Sequence, residues 1–381
     1  MKLKLQKGSV LRHFFNINDF RQEYKIKHNL IEIIVMTVCA VISGADDWVE
    51  VEMYCKARKE WLTTILELPN GIPSHDTFQR IFRLIDPEQF RKCFLTWARE
   101  VAKLSNGEVV AIDGKTLRGS KDGDIRGPIH MVSAWANTNS MVLGQIKTDE
   151  KSNEITAIPK LLEVLEIKGC IVTIDAMGCQ KDIAEKIIDV GADYILALKG
   201  NQGNLYEEVK FYFEDGMRNK FKDDEVNCYT ERNKDHGRYE IRKCFATSNI
   251  LWLNGKKNWK NIKCIAMVES TRIIKEKTTV EYRFYISSLE ADAKQIGKSV
   301  RAHWGIENSL HWCLDVVFKE DSLRLRKDNG PENMAVIRHV ALNLMKKDPT
   351  LAKLSLKKRK KYAEWSHDYM VNLVFGNLEV E

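Results

Sequence analysis

Two apolar runs each close on an aspartate, and they constrain this chain's fold more than any other feature. They are Val-Val-Ala-Ile-Asp113-Gly-Lys-Thr-Leu-Arg-Gly and Cys-Ile-Val-Thr-Ile-Asp175-Ala-Met-Gly-Cys-Gln. Short runs rich in β-branched residues read as buried strands, which places each Asp at the carboxyl end of one. A third carboxylate, Glu307, lies in the helix-like stretch Val-Arg-Ala-His-Trp-Gly-Ile-Glu307-Asn-Ser-Leu-His-Trp. Two strand-end aspartates and a helical glutamate can converge on a hard divalent cation. Mg²⁺ takes one or two carboxylates plus phosphate oxygens in preference to a closed protein cage. The combination points to phosphodiester chemistry.

The pattern divides the chain. Residues 1–105 read as helical: Leu30, Ile33, Ile34, Val38 and Val41 recur at helical spacing. Ser74 opens a helix with Phe78, Ile81, Phe82 and Ile85 on one face, and Asp86-Pro87-Glu88-Gln89 starts another, with a cap, a first-turn proline and a capping-box glutamine. With only Arg80 and Arg83 on the Ser74 helix, packing outweighs base readout. From 106 to 200 the expected strands are 109–113, 130–136, 141–148, 170–175 and 194–198, with helices at 155–167 and 181–190. Three strands followed by alternating helices and strands predict an α/β fold whose core is a ribonuclease-H-like mixed sheet. Residues 201–290 read as a β-rich insertion with strands at 242–246, 264–269 and 282–287. Residues 291–381 return to helix, carrying Glu307 and a basic tail.

Composition limits the partners. At 381 residues, 44% hydrophobic and 30% charged, the chain has the profile of an ordinary globular protein with room for more than one domain. The longest apolar stretch, 30–42, is interrupted by Glu32 and too short to span a bilayer, and the basic start lacks a following apolar region, so no membrane role or export is expected. Nine scattered cysteines without a Cys-x-x-Cys pair read as reduced, mostly buried residues of a cytoplasmic protein. The formal charge is +7, and Lys346, Lys347, Lys353, Lys357, Lys358, Arg359, Lys360 and Lys361 crowd one stretch. Taken alone such a run is a solvated face; beside a phosphodiester site it fits a polyanion, with DNA the expected partner.

Longer motifs sharpen this reading. Ile-Asp113-Gly-Lys-Thr-Leu-Arg-Gly-Ser, Lys-Ser-Asn-Glu-Ile-Thr-Ala-Ile-Pro, Thr-Ile-Asp175-Ala-Met-Gly-Cys-Gln and His-Trp-Gly-Ile-Glu307-Asn-Ser-Leu-His-Trp resemble the H-repeat-associated transposases, which belong to the DDE transposases of bacterial insertion sequences. Gly44-Ala45-Asp46-Asp47-Trp48 and the stretch from Leu68 to Phe78 resemble the helical domain that precedes that core, so the resemblance covers nearly the whole chain. It implies that Asp113, Asp175 and Glu307 are the catalytic and metal-binding triad, holding Mg²⁺ or Mn²⁺ as two ions. It also implies that the protein cuts and joins double-stranded DNA at insertion-sequence ends in the bacterial cytoplasm, at the nucleoid. No covalent enzyme intermediate is expected, and a homodimer on DNA is compatible with the resemblance. In the wider insertion-sequence group a Tyr and an Arg commonly precede the Glu and a Lys follows it. Here Val300, His303 and Leu314 occupy those places, so those roles do not transfer; Arg301, Trp304 and Ile306 keep the local pattern.

Two other readings compete. His303, Glu307 and His311 are spaced i, i+4, i+8 and share a helical face, a pattern that suits a zinc hydrolase. A non-catalytic DNA-binding protein derived from a transposase would be expected to lose a triad carboxylate, and none is lost. Candidate DNA contacts begin with Lys115 and Arg118 beside Asp113 and Lys199 after the 194–198 strand. Arg238 and Arg242 share one face of an expected strand with His236 and Glu240. Arg301, His303 and Trp304 follow, then the tail lysines Lys357, Lys358, Lys360 and Lys361. His303 is expected to act as a cation, since neighbouring carboxylates hold a proton on imidazole.

Overall fold

The computed structural model describes residues 9–122, 127–149, 153–222, 224–235, 237–275 and 277–376. Its centre is five strands: β1 (Val109–Leu117), β2 (Ile129–Ala136), β3 (Met141–Lys147), β4 (Ile171–Ile174) and β5 (Asp193–Leu198). β1, β2 and β3 form an antiparallel meander, while β4 pairs parallel to β1 and β5 parallel to β4. The central order β3-β2-β1-β4-β5, with helices α7 (Glu154–Val164) and α8 (Lys181–Asp189) making the crossovers, is the ribonuclease-H-like arrangement that the alternation of elements predicts. Every residue of β4 is buried, which explains why its sequence is a continuous apolar run.

The segment expected to be a β-rich insertion departs from that description in two ways. It begins with a 17-residue helix, α9 (Gly203–Asn219), whose Leu205, Val209, Phe213 and Gly216 face inward. Its strands β6 (Asn227–Asp235), β7 (Arg238–Thr247), β8 (Cys264–Ile274) and β9 (Lys277–Ser287) then extend the core sheet, because β9 pairs antiparallel with β5. One nine-stranded sheet results, ordered β3-β2-β1-β4-β5-β9-β8-β7-β6. β6 is an edge strand of Tyr, Thr, Glu, Arg, Asn and Lys, a composition that discourages pairing with other chains.

Helices cover the other end of the sheet. The first hundred residues supply α1 (Val10–Phe14), α2 (Leu30–Ser43), α3 (Trp48–Ala57), α4 (Lys59–Ile65), α5 (His75–Leu84) and α6 (Pro87–Val101). After the sheet come α10 (Ala293–Ile306), α11 (Trp312–Val316), α12 (Gly330–Lys347), α13 (Leu356–Trp365) and α14 (His367–Phe375). α2 packs against α3, α12, α13 and α14, so it is buried all round and lacks a polar face. Glu32 is buried within it, where it accepts the backbone N–H groups of Glu67 and Leu68. The N-terminal and C-terminal helices therefore share one hydrophobic core running from Val10 to Phe375. α5 buries Phe78, Ile81 and Phe82, while Arg83 pairs with Asp328, an arrangement built for packing.

Candidate active site

The parallel ladder between β1 and β4 ends at the pair Ile112–Ile174, so Asp113 and Asp175 follow it on neighbouring strands. Parallel strands lie roughly 4.8 Å apart, which puts the two carboxylates in one neighbourhood although 62 residues separate them. Asp175 stands just past β4, as the sequence implies. Asp113 does not end its strand: β1 continues to Leu117, paired only with β2. The run Gly-Lys-Thr after Asp113 is half-buried instead of apolar, and this hid the extension. α10 packs across β1 and β4 and delivers Glu307 at its end. Gly305 makes that approach close, since a Cβ there would lie 2.2 Å from Asn137 Oδ1. Asp113, Asp175 and Glu307 line one cavity of about 420 Å³ together with Thr173, Lys199, Arg283, His303 and Trp304.

The helix changes character at Glu307. Residues Glu307–His311 form a π turn, closed by the Trp312 N–H donating to the Glu307 carbonyl five residues back. One extra residue in a turn rotates the side chains beyond it by about 100° relative to a continued α-helix, and such turns gather at functional sites. Here the turn points His311 inward: it is 6% exposed, with Nδ1 3.4 Å from Glu307 Oε2 and 3.7 Å from Asp113 Oδ2. One ligand atom from each of Asp113, Glu307 and His311 fits within a 4.8 Å set, the single such group among the described residues.

Burial and the imidazole set the electrostatics of this corner. Burial pushes the Asp113 carboxyl up to about 7, and the neighbouring Glu307 adds to the rise. The adjacent His311 imidazole, with the pull of Asp113 and His303, holds Glu307 below the usual carboxylate range. Asp175 uses Oδ1 to accept the Met177 and Gly178 N–H groups, which fixes its rotamer. Asn201 and Gln202 brace that loop by donating to the carbonyls of Ala176 and Cys179. The donor set is rich in carboxylate oxygens and open on one side, which suits Mg²⁺ or Mn²⁺.

The i, i+4, i+8 zinc set is not assembled. His303 Nδ1 sits 3.0 Å from Thr173 Oγ1 on the Asp175 side, while the π turn sends His311 to Asp113. The expectation of a cationic His303 meets an opposing effect: burial lowers its pKa, outweighing Asp175 and Glu307. Lys115 departs from the role of a free phosphate clamp. Its Nζ lies 2.7 Å from Asp315, 3.1 Å from Glu320 and 3.0 Å from Asp321, and only 10% of its side chain is exposed. Glu320 is buried and also pairs with Arg338 of α12, so this network ties β1 to the C-terminal helices. Gly119 allows the close fit, because a Cβ would meet the Leu323 carbonyl at 1.9 Å. Arg118 stays exposed beside Asp321, and Lys199 is exposed at the cavity rim.

A second cavity of about 420 Å³ opens beside the first, between α10 and the extended strands. Arg238, Arg242, Arg272, Arg283 and Arg301 line it against only Glu240 and Glu281. Glu240 is buried and gathers Arg238, Arg242 and Arg272, and Glu281 pairs with Arg283, so Arg301 is the exposed member outside those pairs. Trp304 lines both cavities, 39% exposed, with the Arg283 guanidinium 4.8 Å from its ring centre. Arg272 and Arg283 were not legible as site residues. The strands run longer than the 264–269 and 282–287 expected, and the polar alternation Ser270, Arg272 and Thr279, Glu281 was the available signal. His236 lies outside the described residues.

The basic tail splits. Lys357, Lys358 and Lys361 are exposed. Arg359 is buried and donates to the carbonyls of Met345, Leu354 and Ala352, closing the end of α12. Lys360 donates to the Val317 carbonyl at 2.9 Å, and burial pushes its pKa down to about 8. Eight of the cysteines are buried and Cys228 is exposed, all of them free. No helix among the described residues is long and apolar enough to cross a membrane.

Fold and site together define a class. The family model described as "Transposase DDE domain" matches residues 105–344, and one described as "DDE_Tnp_1-associated" matches residues 11–98. The chain belongs to the DDE transposase family. It is similar to YncI of Escherichia coli O157:H7, at 45% identity over 93% of this chain and 92% of the relative. It is also similar to the H repeat-associated YhhI of Escherichia coli K12, at 41% identity over 97% and 98%. Both carry transposase names. A 72-residue match, 38% identical and covering 19% of this chain, is to a K12 relative named as an inactive transposase, YbfQ. Among solved structures the piggyBac transposase synaptic complex with hairpin DNA aligns over 95% of this chain and 77% of its own, with a TM-score of 0.43 at 12% identity.

Proposed function

We propose that this protein is an active transposase that cuts double-stranded DNA at insertion-sequence ends and joins the freed ends to a target. The observation that carries the reading is the convergence of Asp113, Asp175 and Glu307 on one open cavity from positions 62 and 132 residues apart. Asp113 and Glu307 would hold one ion and Asp113 and Asp175 the other. Bound there, Mg²⁺ or Mn²⁺ makes a water or a 3′-hydroxyl nucleophilic and offsets charge on the phosphate. Asp175, held by its loop, fixes where the second carboxylate stands. His303 anchors α10 to β4 through Thr173, keeping Glu307 in register with both strands. The arginine-lined cavity would receive the DNA backbone, and Trp304, with Arg283 over its ring, would offer its exposed part to a base. Lys357, Lys358 and Lys361 add diffuse attraction. The protein would act at the nucleoid, where its substrate is.

The test uses the purified chain and a labelled duplex carrying the inverted repeats that flank its reading frame. With Mg²⁺ or Mn²⁺ the reading expects nicks at the repeat ends that leave 3′-hydroxyls, and none in EDTA. Tight, repeat-specific binding with no cleavage in either metal would instead support a non-catalytic, transposase-derived DNA-binding protein.

A further inference from the structure

His311 is the residue of the acidic corner that the triad leaves without a task. The chain holds it there at some cost in regularity. The π turn interrupts the helix after Glu307 and buries the imidazole, which is 6% exposed, between Asp113 and Glu307. Its Nε2 is buried and has no hydrogen-bond partner, so Nδ1 is the nitrogen presented to the two carboxylates.

The distances discriminate between two roles. At 3.4 Å and 3.7 Å the contacts to Glu307 Oε2 and Asp113 Oδ2 are long for charge-assisted hydrogen bonds, which run nearer to about 2.8 Å. They fall within the range of ligand separations around one ion. With bonds of about 2.1 Å, octahedral neighbours lie roughly 3.0 Å apart and opposite ligands roughly 4.2 Å apart. His303, the other imidazole near the site, is turned to Thr173 and lies outside this set.

We propose that His311 is a nitrogen ligand to the ion held between Asp113 and Glu307, giving that position a mixed oxygen–nitrogen donor set that favours Mn²⁺ over Mg²⁺. Imidazole suits first-row transition ions, whereas Mg²⁺ prefers all-oxygen surroundings. The inference rests on the reading of Asp113 and Glu307 as ion ligands. It makes the two ion positions unequal, one oxygen-only beside Asp175 and one nitrogen-containing beside Glu307.

Pulsed electron paramagnetic resonance of Mn²⁺ bound to the full chain without DNA tests it. The spectrum of the wild-type protein is expected to show imidazole nitrogen coupling that vanishes in His311→Gln and persists in His303→Gln. Competition is expected to show Mn²⁺ bound at least about tenfold more tightly than Mg²⁺, with the ratio falling several-fold in His311→Gln. Should His311→Gln fail to fold, wild-type protein with ¹⁵N-labelled histidine must still exchange the ¹⁴N pattern for a ¹⁵N one. Mn²⁺ binding that needs Asp113 and Glu307 but shows no nitrogen coupling overturns this inference alone. If the wild-type protein binds no Mn²⁺ in this corner, the active-site reading falls with it.

Discussion

The two cavities that share Trp304 have similar size and opposite chemistry, and they are built differently. The acidic one is assembled from strands in the middle of the sheet and a helix lying across them, with Asp113 largely buried and His311 packed behind it. The arginine-lined one stands on long hairpin strands with one solvated face, and its cations are partly neutralised by Glu240 and Glu281. The first fixes a few atoms tightly, as chemistry on a phosphate requires. The second offers a charged surface tolerant of position, as backbone binding requires. Cleavage and affinity should therefore be separable by mutation.

The largest effect should fall on the acidic side. Asp113→Asn, Asp175→Asn or Glu307→Gln is expected to lower cleavage by about 10³-fold or more, since metal assistance is worth several kcal/mol. Filter binding or anisotropy should show DNA affinity within about threefold of the wild-type value, because backbone contacts come from Lys and Arg. If binding collapses along with cleavage, the division of labour is wrong.

Next is the support behind that corner. Lys115→Ala leaves buried Glu320 with only Arg338 and should destabilise the fold by about 3–5 kcal/mol in denaturant titration, the usual result of breaking a buried charge network. DNA affinity of the folded fraction should hardly change. A stable variant with weakened affinity would return Lys115 to the role of a phosphate contact.

Smaller effects belong to the basic side. Replacing Arg301 and Arg272 with Ala should weaken binding by roughly tenfold at moderate salt and reduce the log–log salt slope by about 0.9 for each phosphate no longer neutralised. An unchanged slope would mean that Arg272 serves only Glu240 and that Arg301 is a solvated charge. Smallest is the tail: neutralising Lys357, Lys358 and Lys361 should flatten the slope modestly, whereas Lys360→Met should leave it alone because that ammonium is bound to Val317. A slope that responds to Lys360 would show that the tail rearranges on DNA.

The same contrast explains what could be read from the residues. Central strands were legible because burial on both faces leaves continuous apolar runs; 194–198 was expected and Asp193–Leu198 forms. The relation of Asp113 to Asp175 followed from those strands. The insertion was harder. α9 carries Leu205, Val209 and Phe213 at helical spacing, but charged residues and Gly203 surround them, and β6 is polar enough to pass for a loop. The π turn left no sequence signal, since Glu307-Asn-Ser-Leu-His311 suits an ordinary helix, so His303 and His311 seemed to share a face that the structure divides. Burial of Arg359 and Lys360 was hidden for a similar reason: their partners are backbone carbonyls of other segments.

The central claim is that the carboxylate corner acts on a scissile phosphate through a bound metal, and a phosphorothioate at that phosphate tests it most directly. Sulfur binds Mg²⁺ poorly and Mn²⁺ well. Replacing one non-bridging oxygen at the repeat end should slow single-turnover cleavage by roughly tenfold or more in Mg²⁺ for one stereoisomer, with Mn²⁺ restoring it to within a few-fold. An equal loss in both metals for both stereoisomers, with DNA binding intact, would contradict metal-assisted cleavage at Asp113, Asp175 and Glu307.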